Sequence, residues 1–456
     1  MSKNSFSIND PIHGLIQFRD EEAVLVRKIL QTPEFQRLRH IKQLGMAFYI
    51  YPGATHNRFS HSLGVAYLSK RIIQKIQVDS PKFTTNELKL LAIASGLLHD
   101  IGHGPYSHMF EKACYKDTDI KFNHEEMTVL IIERICSNSI FDDKEKECLE
   151  KAALILNKNQ RDGLSNELLI TQRLVSSQMD TDRMDYLLRD SHFCGVTYGN
   201  YDLKWLIHSI ELYPEESPEY LCVNKKAIGV AENYLIARRL MTNCVYKHRK
   251  IVALEFICSK FIEQIFIKIT EFDKNNDYKN QPIIKYLSKL KKKRSLDKCL
   301  EEYIYICDYD LDILITMLVN DTKLTKSDCG ILAKKIYSRE IPMTFEIDFA
   351  KHDEARIIID EWREKQSDLR DWQICLDSRS IITFKDNEEK IFINDNNSIK
   401  LLQHLSLPIF SFTNKSEINP LLIMDKDIYN FPSTQKLIDE LNQKNCFTCH
   451  FDGENT

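Results

Sequence analysis

Ile93-Ala-Ser-Gly-Leu-Leu-His-Asp-Ile-Gly-His-Gly-Pro105 decides the fold class of this chain. Ile93 to Leu98 is apolar nearly all round, which suits a central helix buried on every side. Gly102-His103-Gly104-Pro105 then breaks the helix sharply and leaves His99 and Asp100 at its C-terminal end. Thr85 opens this helix. Upstream, Thr32-Pro33 forms an N-cap and first-turn pair for a helix from Glu34 to Ile41. Ser62 to Ile76 carries a one-sided apolar face of Leu63, Ala66, Tyr67, Ile72 and Ile73. Downstream, Asn123 caps a helix from His124 to Ile135, and residues 182–193 and 230–266 also read as helix.

Polar residues and breakers cluster at 273–281 and mark a surface joint. From Ile341 the pattern changes. Ser380-Ile-Ile-Thr-Phe and Lys390-Ile-Phe-Ile, split by Asp386-Asn-Glu-Glu, read as a β-hairpin, and helix returns at 435–443. The expected fold is therefore mainly α: a helical core over 1–270, a helical extension over 271–340 and a small mixed α/β region over 341–456.

Gly 13 and Pro 12 in 456 residues are few breakers, in keeping with helix. Sixty-two basic against 66 acidic residues give −4, so no global charge advertises a nucleic-acid or anionic-membrane partner. Thirteen singly scattered cysteines point to free thiols in a reducing compartment. The N-terminus has no apolar signal core. The most apolar stretch, 251–269, is interrupted by Glu255, Lys260, Glu263 and Lys268, so no membrane span is expected and the location reads as cytoplasmic. Lys289-Leu-Lys-Lys-Lys-Arg294 reads as a solvated face, or else a phosphate or single-strand contact. Cys446-Phe-Thr-Cys-His450 matches a haem-attachment string by chance, having neither signal peptide nor second cysteine pair.

Two constellations carry chemistry. His61, His99, His103, His108 and His124 gather around the break after the central helix, and the His99-Asp100 pair suits a first-row divalent ion. The segment Met179-Asp-Thr-Asp-Arg-Met-Asp-Tyr-Leu-Leu-Arg-Asp190 puts Asp182, Arg183, Tyr186 and Asp190 on one helical face, opposite Met184, Leu187 and Leu188. Taken alone, each has a plainer reading: a capped helix end, and an exposed amphipathic helix with an Asp185–Arg189 pair.

Together, His61, His99-Asp100 and Asp182 resemble the ordered pattern of the HD superfamily of metal-dependent phosphohydrolases. Asn9-Asp-Pro-Ile-His-Gly14, Phe35-Gln-Arg-Leu-Arg39, Ile41-Lys-Gln-Leu-Gly45 and His56-Asn-Arg-Phe-Ser-His-Ser-Leu-Gly64 narrow the resemblance. So do Leu98 to Phe110, His124-Glu125 and Asp182 to Tyr186. They are similar to the deoxynucleoside triphosphate triphosphohydrolases, over residues 8–340, and to their bacterial members more than to the vertebrate SAM- and HD-domain enzyme. No SAM domain is expected ahead of motifs that begin at residue 9.

The resemblance implies a helical HD core with an N-terminal regulatory segment, and one divalent ion (Mn, Fe, Mg or Zn) on His61, His99, Asp100 and Asp182. It implies attack on the α-phosphorus of a dNTP with the ion as Lewis acid. His108 is implied as the acid for the leaving O5′, supported by His124 and Glu125, with His103 on phosphate. Arg58, Arg183 and Arg238 would hold the triphosphate. Gln43 and Asp190 would read the sugar 3′-hydroxyl, with Tyr186 on the same face. Leu44 and Tyr246 would wall off a 2′-hydroxyl.

Asn9, Gln36 and Arg39 match a regulatory nucleotide site of the family, which implies a homo-oligomer (dimer or tetramer) and a nucleotide activator. Gln31 stands where the vertebrate enzyme has an acidic guanine reader, and Phe6 where it has a Lys, so the nucleotide preference differs or that activation is absent. Two other readings stay open: an HD phosphodiesterase acting on another nucleotide, and a nucleotide- or single-strand-binding regulator with a vestigial site.

Overall fold

The computed structural model describes residues 5–81, 85–115, 123–157, 164–214, 220–378, 390–413 and 419–448. The fold is mainly α, with twenty-two α-helices among the described residues and nine short strands in three small sheets. No described helix is long and apolar enough to cross a membrane.

The central helix is Asn86–Leu98. Thr85 caps it by accepting the Leu88 N–H, and Leu91 to Leu98 are all buried. It packs lengthwise on the Arg58–Asp79 helix, with Asp143–Leu156 and Asn166–Val175 on its other sides. Each fully buried Leu or Ile here contributes about 1.5–3 kcal/mol relative to exposure. The Thr181–Cys194 helix, capped by Asp180, packs on the Arg58–Asp79 helix and brings Asp182 to 2.9 Å from His61.

Two expected helices are broken, each at a position that shapes the interior. The segment after Thr32-Pro33 is one α-turn, Pro33–Gln36, followed by a 3-10 turn, Arg37–His40. The tighter turn lets Arg37 point inward, where it donates to the carbonyls of Ile101 (2.8 Å), His103 (2.9 Å) and Ile306 (3.1 Å). The expected helix over 230–266 divides into Ile228–Met241 and Arg249–Ile267 around a π-helical turn, Thr242–Tyr246. Such turns recur at functional sites, and this one turns Tyr246 inward. The joint expected over 273–281 is helical to Lys274 and irregular only beyond it.

Residues 300–308 buttress the loop after the central helix. Tyr303 Oη donates to Gly102 O (2.7 Å), and Asp308 accepts the N–H groups of Tyr106 (2.8 Å) and Lys42 (2.9 Å). The carbonyls of residues 101, 102 and 103 are therefore all held by side chains from other parts of the chain. Replacing Arg37 by Met, of similar length but without donors, strands three buried carbonyls. Chemical denaturation is expected to show a loss of about 3 kcal/mol or more.

In the C-terminal region, strand Phe392–Asn394 pairs antiparallel with Ile399–Leu401 and parallel with Tyr220–Asn224. The first strand expected for the hairpin, 380–384, lies outside the described residues. Met343–Glu346, Leu421–Met424 and Ile374–Asp377 form the third sheet, against which His352–Glu364 and Pro432–Gln443 pack. Of the basic run, Lys289 pairs with Glu302, Lys292 with Asp273, and Lys291 donates to the carbonyls that end a neighbouring helix. Those three charges are spent within the chain. The described cysteines are free, and Cys449 and His450 lie outside the described residues.

Candidate metal and catalytic site

Three helix ends converge where the central helix stops. His61 comes from the Arg58–Asp79 helix, His99 from the C-cap of Asn86–Leu98, and Asp182 from the first turn of Thr181–Cys194. His61 Nε2 lies 2.9 Å from Asp182 Oδ1 and 3.2 Å from His99 Nε2, and His99 Nε2 lies 3.5 Å from Asp182 Oδ1. Asp100 adds Oδ1 at 3.4 Å from His99 Nε2 and Oδ2 at 3.7 Å from His61 Nε2. Its carboxylate is pulled to one side by an ion pair with Arg58.

The far nitrogens of both rings are engaged. His99 Nδ1 donates to Gly96 O (2.9 Å), and His61 Nδ1 to Asp185 Oδ2 (2.7 Å). Each bond fixes the tautomer that presents Nε2 to the centre. Burial disfavours a charged His61, yet hydrogen bonds to Asp182 and Asp185 push it up to about 10. Burial acts likewise on His99, and Asp100 and Asp182 together outweigh it, raising that ring too. Asp100 is held well below the usual carboxylate range by Arg58 and its histidine neighbours against the cost of burial. Two carboxylates beside two buried imidazoles make a centre that favours positive charge. Two nitrogens and a carboxylate oxygen within 4.8 Å of one another, with Asp100 alongside, fit a divalent metal ion.

Beside this set stands a second group. His103 stacks on His124 with ring centroids 4.0 Å apart, and His108 is edge-on to both at 5.0 and 5.1 Å. Glu111 sits among the three, its oxygens 3.2 Å from His124 Nδ1, 3.5 Å from His103 Nδ1 and 3.6 Å from His108 Nδ1. Burial would raise the Glu111 carboxyl, but the three imidazoles drive it far below its ordinary range. Burial, aided by Arg58 and His124, pulls His103 down to about 3. His103 is therefore neutral near pH 7, a hydrogen-bonding group and not a cation. His108 is 62% exposed, facing open space. Glu125 lies 3.9 Å from His124.

Asp100, His103, His108, Glu111, His124 and Asp182 open onto one cavity of 970 Å³. Gln43, Leu44, Arg58, Tyr186, Asp190 and Tyr246 line it too. Asp190 accepts from His56 Nε2 and from Tyr246 Oη, both at 2.8 Å. Gln43 Oε1 is buried without a hydrogen-bond partner. Arg58 divides its guanidinium between Asp100 and Ser107 Oγ. Arg183 and Arg238 are not among the lining residues: Arg183 binds Asp180 and the Ser177 carbonyl, Arg238 binds Gln178, and the charge of both reaches Tyr186. Gln36 and Arg39 are in contact (2.8 Å), and Asn9 lies on the Ser5–Asp10 strand opposite Leu15.

Sequence reasoning passed over three groups. Glu111 is one turn beyond His108, and its signal was the want of an anion among three histidines. Asp185 falls within the Asp182-to-Tyr186 motif but carries no role in the sequence beyond the plainer reading of an exposed Asp185–Arg189 pair. Cys375, Asp377, Ser378 and Ile423, from the C-terminal region, also line the cavity.

The HD-domain family profile matches residues 58–190. The MG461 homolog of Mycoplasma pneumoniae is 31% identical over 427 residues, covering 92% of this chain and 95% of its own. Human deoxynucleoside triphosphate triphosphohydrolase SAMHD1 is 32% identical over 289 residues, 58% of this chain and 45% of SAMHD1, so the likeness spans less than half of that enzyme. The crystal structure of a phosphohydrolase from Bacteroides thetaiotaomicron superposes with a TM-score of 0.73 at 26% identity, covering 92% of this chain and all of that one.

Proposed function

The chain belongs to an HD-domain, dNTPase-like family, and we propose on that premise that it hydrolyses deoxynucleoside triphosphates to deoxynucleoside and inorganic triphosphate. The observation that carries this reading is one cavity lined by two chemically different sets of groups. Asp100, Asp182 and the imidazole cluster make up one set; Gln43, with its unpartnered oxygen, and the Asp190–Tyr246 pair make up the other. A volume of 970 Å³ is at the upper end of ligand sites, about 300–1,000 Å³, and admits a nucleotide.

His61, His99, Asp100 and Asp182 would hold one divalent ion, which when bound supplies Lewis acidity at the α-phosphate. Water adds its oxygen to the α-phosphorus, the bond from phosphorus to O5′ breaks, and O5′ leaves with a proton. His108, exposed to the cavity and backed by Glu111, gives that proton. Glu111 and His124 keep the ring oriented, and His103 donates to a phosphate oxygen. Gln43 Oε1 accepts from the 3′-hydroxyl, and Asp190 faces the same group. Leu44 and Tyr246 fill the space a 2′-hydroxyl would need. Arg58, Arg183 and Arg238 contribute positive potential around the phosphates. Asn9, Gln36 and Arg39 serve a regulatory nucleotide in an oligomer.

The test is to incubate the purified chain with each dNTP and NTP in Mn²⁺ or Mg²⁺ and resolve products by chromatography. Deoxynucleoside plus triphosphate is the expected outcome. Diphosphate, monophosphate or a cleaved diester in their place overturns the reading. Leu44→Ala is expected to raise turnover of the ribonucleotide relative to its deoxy counterpart by about tenfold, read as the ratio of kcat/KM values.

A further inference from the structure

The N-terminal hairpin touches the candidate metal centre through one buried carboxylate. Asp10 closes the turn of the hairpin, its Oδ1 accepting the N–H groups of Ile12 (2.9 Å) and His13 (3.0 Å). Asp10 also receives both terminal nitrogens of Arg189, at 2.8 and 3.2 Å. Arg189 in turn grips Asp185 with Nε on Oδ2 (2.8 Å) and Nη2 on Oδ1 (2.9 Å). Two imidazoles complete the Asp185 shell: His13 Nε2 on Oδ1 at 2.6 Å and His61 Nδ1 on Oδ2 at 2.7 Å. Asp185 and Arg189 are 0% exposed and His13 is 2% exposed.

Four donors occupy one carboxylate, so the position of each depends on the others. The packing leaves no slack. A Cβ at Gly64, one turn from His61, would stand 1.9 Å from Asp185 Oδ1 and 2.6 Å from Arg189 Nη2. The helix that carries His61 therefore rests directly on the Asp185–Arg189 pair.

We propose that the turn at residues 10–14 is part of the outer shell of the metal centre: His13 and the ligand His61 share Asp185, so the seating of the N-terminal hairpin sets the orientation of the His61 ring and with it the affinity for the divalent ion. His13 and Asp185 are positioning residues in this scheme. The inference rests on the metal-binding half of the function proposed above and not on its substrate.

The test uses the full chain, stripped with chelator and titrated with Co²⁺ alone, reading affinity by calorimetry and ligand geometry by the visible absorption of bound Co²⁺. His13→Ala is expected to weaken Co²⁺ binding about 10–100-fold and to alter the band, as loss of an outer-shell partner does. His13→Gln, which keeps a donor toward Asp185, is expected to recover most of the loss. Leu15→Ser, at an exposed position of the same hairpin, is expected to bind as the wild type does. If His13→Ala fails to fold, Asp185→Asn is read in the same way. Wild-type affinity and spectrum in the His13→Ala chain overturn the inference and leave the metal site standing. No recovery in His13→Gln, or an equal loss in Leu15→Ser, also overturns it. A wild-type chain that takes up no Co²⁺ overturns the metal site and the inference together.

Discussion

Replacing His99 or Asp182 by Ala is expected to cut triphosphate release by about a thousandfold or more and to empty the protein of bound metal. The two substitutions remove different things. His99→Ala takes away one of two nitrogens that lie 3.2 Å apart and whose orientations are fixed from behind by Gly96 O and Asp185. Asp182→Ala takes away the carboxylate that both imidazoles face. In either case the remaining donors no longer surround a point. Lewis-acid stabilisation is worth several kcal/mol, and at 1.36 kcal/mol per decade that gives the thousandfold figure. His108→Ala provides the contrast. It sits outside the ligand set, so it is expected to lose about 10²–10⁴ in kcat while metal content, read by elemental analysis, stays at the wild-type level. Full turnover in His99→Ala would place the chemistry elsewhere.

The candidate metal ligands were legible through resemblance: His61, His99-Asp100 and Asp182 follow the ordered pattern of the HD superfamily, whereas local chemistry alone pointed only weakly to the His99-Asp100 pair. What surrounds them was not. Asp185 and Arg189 read as an i,i+4 pair on a solvated face, and the pair is real, yet both side chains are fully buried. Spacing shows that two charges can meet on a helix; it does not show what covers them. Here the cover is the hairpin turn at Asp10 and His13, 170 residues and more away in the chain. The break that brings Tyr246 to Asp190 was invisible for a similar reason. Residues 237–248 contain neither Gly nor Pro, and one extra residue in a turn leaves apolar periodicity almost unchanged. The strand at Phe392–Asn394 was found, but its parallel neighbour at Tyr220–Asn224 is a long-range pairing that no local pattern encodes.

Gly102→Ala is the substitution whose effect follows most directly from packing, and it is expected to lower stability by about 1–3 kcal/mol or more and kcat by about a hundredfold. Gly102 reads in the sequence as a helix breaker, but its backbone is not in the left-handed region, so an alanine could adopt the conformation. Room is what the position lacks. A Cβ there would stand 2.0 Å from His124 O, 2.4 Å from Thr128 N and 2.5 Å from Thr128 Oγ1. Two of these three atoms are backbone of the His124–Cys136 helix, so no side-chain rotation relieves them. Nor can the loop retreat, because the carbonyls of residues 101, 102 and 103 are tied to Arg37 and Tyr303. The helix start must therefore move, and it carries His124, which stacks on His103 and lies 3.2 Å from Glu111. Misplacing a catalytic group by about 1 Å costs on the order of 10² in rate. The candidate metal ligands His61, His99 and Asp182 do not sit on that helix, so metal content is expected to hold while kcat falls, a split that separates local displacement from general unfolding. Calorimetric unfolding beside steady-state kinetics measures both quantities, and a Gly102→Ala chain with wild-type Tm and kcat would show that the His124 helix is free to move without consequence for the site.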